Sequence, residues 1–373
     1  MGQFMTNTIL PKYADSMGAS TFMVGLVGSS FAVTTLLMRP VSGAAIDSFN
    51  RKNLLILTEI FIALANISYR ISDNVTLIII SRAIHGIGAG AFTPLALTIV
   101  SGCLPEEKMA SGIGVFALGQ AFSMALGPNI GLFLVGIFDY HFVFIGSACL
   151  AVLSIVLVLL LPNAKAREKK HFAIRADNVF DRGSLGATLV MMYIGFTHTC
   201  VNTYIVLYGL NRGVERVGLY FTAYAASLLI SRPLSGSIAD RFGYKTSMIP
   251  AFICSVASYI FIGLSDSLYL FIIAGIFSAF GQGSIQPSII SLSMRLAPPE
   301  RSGVVVNTLY AGLDFGMLIA GPVCGFICTL IANASGNLLT GYSGMFFVLI
   351  IPAVIGLVCF LYLDKKNSIL RTK

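Results

Sequence analysis

The sequence predicts an all-α protein that crosses a membrane many times. Only 11% of its 373 residues are charged while 56% are hydrophobic, and apolar runs near the roughly 20 residues a helix needs to cross hydrocarbon recur along the whole chain. Soluble domains carry about 25% charged residues, so this chain could not cover a water-facing surface. Barrel strands would read as short alternating segments, whereas Met345–Leu361 is continuously apolar and Leu150–Leu161 is apolar but for Ser154.

Spans are expected at 21–41, 53–70, 76–99, 109–133, 141–161, 184–208, 217–234, 246–264, 267–290, 304–331 and 343–363, about eleven full transmembrane helices. Ahead of them, Met1–Leu10 runs into Pro11, Lys12 and Tyr13. At 1.5 Å per residue that stretch reaches only about 15 Å, half the hydrocarbon core. It reads as the outer half of a first helix, truncated at its start.

Orientation follows from the gaps. Arg51, Lys52, Lys108, Arg241, Lys245 and Arg301 lie in gaps on the same side as the basic stretch after Pro162 and the tail, while the opposite gaps hold Lys12, Arg70, Arg212 and Arg216. The richer side is cytoplasmic by the positive-inside rule. The net charge of +8 therefore reports topology and not nucleic-acid binding. Residues 162–183 form the most polar stretch and read as a cytoplasmic linker between an N-terminal bundle, 1–161, and a C-terminal bundle, 184–363, followed by a cytoplasmic tail, 364–373. The seven cysteines sit singly in apolar segments apart from Cys324 and Cys328, and none pairs with histidine at metal-ligand spacing. Neither metal nor cofactor is expected, and no nucleophile–base set points to an enzyme.

An internal repeat supports the division. Arg39-Pro40-Val41-Ser42-Gly43, continuing through Asp47, Phe49 and Lys52, recurs as Arg232-Pro233-Leu234-Ser235-Gly236 through Asp240, Phe242 and Lys245. Gly127-Pro128-x-x-Gly131 recurs as Gly321-Pro322-x-x-Gly325 at nearly the same offset. Two matches at one offset mean duplicated halves, the parallel repeat of one class of secondary transporters.

The repeated segments carry a resemblance. Gly236-Ser237-Ile238-Ala239-Asp240-Arg241-Phe242-Gly243-Tyr244-Lys245 resembles the loop signature of the major facilitator superfamily. Gly43 through Asp47, Arg51 and Lys52 is its first-half counterpart, departing at Ser48 and Asn50. The resemblance implies two six-helix halves and a tight cytoplasmic turn in which the glycine lets helices approach. There the carboxylate caps a helix N-terminus or pairs with basic residues. Such contacts form a latch that closes in one conformation and opens in the other; an ordinary positive-inside turn is the plainer reading. Arg82 through His85 to Gly90 resembles the family's fourth-helix motif, whose arginine is implicated in proton coupling. An arginine facing lipid inside a span costs at least ~2.5 kcal/mol, so Arg82 is expected to face the cavity or a polar partner, with His85 at i+3 on the same face. The Gly127-Pro128-x-x-Gly131 segment resembles a glycine–proline motif of the family's antiporters, although Leu132 stands where a second glycine is usual. A simple packing kink competes with that reading.

Asp314 lies well inside a span, and an intramembrane carboxylate is a functional expectation by default; a carboxylate bound to a neighbouring helix end is the alternative. In the family the first, fourth, seventh and tenth helices line a central cavity. This places His198 and Asn202, and Gln282 and Gln286, as lining residues among many Phe and Met side chains. The resulting expectation is a monomeric, proton-coupled efflux transporter of small, mostly lipophilic molecules in the inner membrane, similar to the drug–proton branch. Proton-coupled uptake of a small metabolite is the main rival, and a transporter-derived sensor or inactive remnant the third.

The topology is open to a direct check. In a background without the native cysteines, Lys169→Cys and Lys366→Cys should both resist a membrane-impermeant thiol reagent in intact cells. Ready labelling of either from outside would overturn the orientation.

Overall fold

The structure is a computed structural model that describes residues 1–103, 109–160, 181–296 and 302–371. The side chains of several residues within the helices, Gly43, Asp47 and Asp240 among them, lie outside the described residues, as does most of the expected linker 162–183. Thirteen α-helices follow one another: α1 (Gly2–Ser16), α2 (Thr21–Ser48), α3 (Arg51–Ile71), α4 (Val75–Cys103), α5 (Met109–Ile137), α6 (Tyr140–Leu160), α7 (Leu185–Asn211), α8 (Leu219–Phe242), α9 (Tyr244–Leu264), α10 (Leu268–Leu296), α11 (Ser302–Ser335), α12 (Leu338–Val348) and α13 (Ile350–Arg371). Among the described residues nine helices are long and apolar enough to cross a membrane, joined by the shorter apolar stretch Phe122–Ile137 of α5.

The chain divides into two compact units. One takes Met1–Ala19 and the chain from Ser30 through α6; the other takes Ser20–Ser29 together with α7–α13. In the first unit α3 shows the pattern that builds such a bundle. Leu57, Ile60, Leu64, Ile67 and Ile71 are exposed apolar residues along one stripe, while Leu55, Ile62, Ala65 and Tyr69 are buried on the other. In water the exposed stripe would be unfavourable; in hydrocarbon it is the solvated face.

Packing in the second unit depends on small residues that let backbones meet. A methyl group on Gly195 of α7 would overlap the Leu313 carbonyl of α11, and one on Gly316 would lie 2.9 Å from the Phe196 nitrogen. The first turns of α2 belong here for the same reason: a side chain on Gly25 would overlap the Gly321 carbonyl, and one on Gly325 would come within 2.6 Å of the Thr21 carbonyl oxygen. The Tyr204 hydroxyl stands between them, 2.8 Å from the Gly321 oxygen and 3.0 Å from the Thr21 oxygen.

The signature segments differ from the expected loop. The repeated signature is helix over most of its length: α2 runs to Ser48 and α8 to Phe242. The turn in the second half is made by Gly243 alone, whose φ of +86° favours glycine. Gly236 meets nothing within 4 Å among the described residues. In the first half Asn50, standing where the signature has glycine, caps α3 by accepting from the Lys52 and Asn53 backbone N–H groups at 2.9 and 3.3 Å. The last expected span, 343–363, lies within the candidate membrane span Leu338–Lys365, where the helical hydrogen bonding is interrupted at Leu349, three residues before Pro352.

The glycine seams give a paired stability expectation. Gly195→Val should destabilise the second unit by about 1–3 kcal/mol through overpacking, seen as an earlier melting transition of the purified protein. Gly236→Ala, in open space within a helix, should leave the transition unchanged or slightly later.

Candidate functional site

Each unit encloses a polar cluster. In the first, Arg82 and His85 lie one turn apart on α4 and are almost completely buried, at 4% and 0% exposure. The Arg82 Nη1 donates to Asn7 Oδ1 of α1 at 2.7 Å, and the guanidinium carbon lies 4.9 Å from the centre of the Phe31 ring of α2, within cation–π range. The Tyr69 hydroxyl of α3 is a side-chain hydrogen-bond partner of Arg82 and lies 3.1 Å from His85 Nδ1. Arg82 donates, so the hydroxyl accepts from it and also joins His85, as donor to Nδ1 or as acceptor from it according to the imidazole tautomer. The His85 Nε2 has no hydrogen-bond partner among the described residues. Gly86 makes the arrangement reachable: a side chain there would overlap Thr34, whose Oγ1 donates to the Ala83 carbonyl at 2.8 Å. Arg82 thus meets neutral polar groups on α1 and α3, with the Phe31 ring of α2 beside it.

Sequence reasoning misses Asn7, Phe31 and Tyr69, since only the fold brings four helices to one point. It also misses Glu59, although a carboxylate inside the apolar run of α3 is the same signal that singles out Asp314. Glu59 is 5% exposed, and its Oε1 accepts from Ser154 Oγ of α6 at 2.6 Å.

In the second unit Gln282 of α10 is committed to its neighbours. Its Nε2 donates to Thr197 Oγ1 of α7 and to the Tyr259 hydroxyl of α9, both at 2.8 Å, and Tyr259 lies 3.1 Å from the Tyr193 hydroxyl. Asn202 donates to the His198 carbonyl one turn back on α7 at 2.7 Å. His198 and Gln286 are half-buried. Asp314 of α11 is 2% exposed, flanked by Gly312 and Gly316, where α11 packs against the α7 backbone.

The glycine–proline segments form seams within continuous helices. A Cβ on Gly127 would stand 2.7 Å from Phe4 Cβ, and one on Gly131 3.1 Å from Ile9 Cγ1, so α5 lies against α1. Gly321 and Gly325 do the same for α11 against the start of α2. Of the signature residues, Lys52 Nζ donates to the Leu159 carbonyl at the end of α6 at 2.9 Å, a cation on the negative end of a helix. Arg51 is half-buried, and Arg241 and Lys245 are exposed. Among the described residues, no group of three His, Cys, Asp or Glu could hold a metal ion.

Comparison with known proteins agrees with this architecture. The family model of the Major Facilitator Superfamily matches residues 1–215 and 185–372. The MFS-type transporter MJ1560 of Methanocaldococcus jannaschii is 20% identical over 369 residues, covering 96% of this chain and 93% of the relative. The multi-drug resistance efflux pump PmrA of Streptococcus pneumoniae is 22% identical over 324 residues, covering 80% of each. Among solved structures, the nucleoside transporter NupG superposes with a TM-score of 0.78 at 13% identity, covering 96% of both chains. A bacterial homolog of the human lysosomal transporter Spinster superposes with 0.77 at 14% identity, covering 98% of this chain and 93% of that one.

The Gln282 network separates a packing role from a transport role. Gln282→Leu strands the Thr197 and Tyr259 hydroxyls and should destabilise the second unit by about 1–3 kcal/mol, read as a lower melting temperature. Unchanged melting with lost transport would place the side chain on the substrate path instead.

Proposed function

The chain belongs to the Major Facilitator Superfamily, and on that premise we propose that it exports small, mostly lipophilic molecules across the cell's inner membrane in exchange for protons, working as a monomer. The observation that carries the substrate class is that, among the described residues, two of the expected lining amides are already held by neighbouring groups. Gln282 is held by Thr197 and Tyr259, and Asn202 by its own helix. A sugar or nucleoside site needs many fixed hydrogen-bonding groups, whereas a lipophilic molecule needs apolar surface and few. The similarity to a protein named as a multidrug efflux pump points the same way.

In this reading Asp314 carries the proton, and Arg82 with His85 supplies the complementary polar group in the first unit. His198, Asn202 and Gln286 face the substrate path, joined by Gln282 if its network opens during transport. Asp47 and Asp240 act in the latch with Arg51, Lys52, Arg241 and Lys245, at helix ends close to the turns after Ser48 and Phe242. The glycine–proline seams at Gly127, Pro128 and Gly131 and at Gly321, Pro322 and Gly325 keep the helices close enough to prevent leakage.

Direction and coupling are tested together. Expression in a host lacking its own pumps should lower the accumulation of a lipophilic dye, and a protonophore should restore it. Increased accumulation would favour uptake. In proteoliposomes Asp314→Asn should abolish movement driven by a pH gradient while preserving exchange of substrate for substrate, since exchange releases no proton. Wild-type gradient-driven rates in that variant would make the carboxyl structural.

A further inference from the structure

The first unit contains a second intramembrane carboxyl that the proposed transport cycle does not use. Glu59 lies eight residues into α3, about 12 Å from its start at 1.5 Å per residue, on the face turned from the exposed stripe. The neighbouring helices offer it little. From α6 comes Ser154 Oγ, at 2.6 Å; the ionisable side chains of α6 are Tyr140 and His141, in its first turn at the far end, and Cys149, which is exposed. From α4 the ionisable groups are Arg82 and His85, which gather at Tyr69, ten residues further along α3. The Met1 amino group acts on Glu59 through space. Among the described residues no lysine, arginine or histidine side chain forms an ion pair with it.

The internal repeat supplies an independent observation. The shift that carries Arg39 onto Arg232 carries α3 onto α9, end for end, and Glu59 onto Phe252. Phe252 is buried at 1% exposure and stacks between Tyr193 and Phe360, with ring centres 5.6 and 6.5 Å apart. The scaffold thus accepts an apolar residue in this seat, and packing does not demand a carboxyl there.

A carboxylate kept for structure is paired with a cation, because removing a charge from water is costly. Within hydrogen-bond reach Glu59 has, among the described residues, no cationic side chain but one hydroxyl, which can donate to the carboxylate or accept from the carboxylic acid without moving. We propose that Glu59, held between α3 and α6 by Ser154, is a proton-binding site of the first unit. It gains and loses a proton in place, with Ser154 turning its hydroxyl hydrogen to suit. This rests on the membrane-embedded fold alone and is independent of the direction of transport.

The test needs no substrate. The purified full chain in lipid is treated with dicyclohexylcarbodiimide, which attacks protonated carboxyls in apolar surroundings, and Glu59 modification is followed by peptide mass spectrometry between about pH 5 and pH 9. Labelling should fall as pH rises. In pH-induced infrared difference spectra a protonated-carboxyl band should vanish in Glu59→Gln and move to higher frequency in Ser154→Ala, which loses the hydrogen bond. Glu59→Gln keeps the size and a hydrogen-bonding amide, and its melting temperature checks the fold. Absence of labelling throughout the range, or a difference spectrum unchanged in Glu59→Gln, would overturn the proposal. Failure of dye export with these signals intact would count against the transport reading alone.

Discussion

Hydrocarbon offers no hydrogen bonds, and this constraint shapes both units. Every polar group carried into the membrane must find a partner in the protein. The backbone meets that demand by remaining helical even through Pro128 and Pro322. The side chains meet it by pairing: Gln282 with Thr197 and Tyr259, Tyr204 with two carbonyls, Arg82 with Asn7 and Tyr69. Because the apolar residues are solvated by lipid on the outside, there is little hydrophobic drive between helices, and association depends on close contact.

Close contact explains the distribution of glycine. The pairs α1 with α5 and α7 with α11 occupy corresponding places in the two units, and the duplicated glycine–proline segment lies in the second member of each. On α5 its glycines meet α1; on α11 they meet the first turns of α2, while Gly312 and Gly316 serve α7. One sequence device was copied, and the two copies came to seat different neighbours.

The architecture was legible because membrane crossing leaves a coarse signal: length, apolarity and the side on which basic residues fall. Helix ends were less legible. Hydropathy drops where polar residues begin, but α8 continues as helix through Pro233 and Ser235 to Phe242 and ends at Gly243. The break at Leu349 was written in Pro352, yet the apolar run around it hides the interruption. At the polar clusters, the sequence pointed to Arg82, His85 and Asp314 by their rarity in apolar runs. It could not point to Asn7 or Tyr69, whose importance comes from positions that separate helices occupy together. Gln282 looked like a lining residue from its polarity alone; its partners on α7 and α9 depend on how three helices turn toward each other.

The repeat also separates what builds the scaffold from what was added to it. Glycines, prolines and the signature aspartates recur in both halves, so they belong to a structure that folds twice. Arg82, His85, Glu59 and Asp314, deep in their spans, do not recur. The shift that carries α4 onto α10 places Gly275 and Ser278 opposite Arg82 and His85, and the shift that carries Gly321 back onto Gly127 places Gln120 opposite Asp314. An ionisable side chain in hydrocarbon costs stability wherever it stands. One that the sister half replaces with glycine, serine, glutamine or phenylalanine is not required to hold the bundle together. Arg82, Glu59 and Asp314 are thus features that one half of the repeat carries and the other does without.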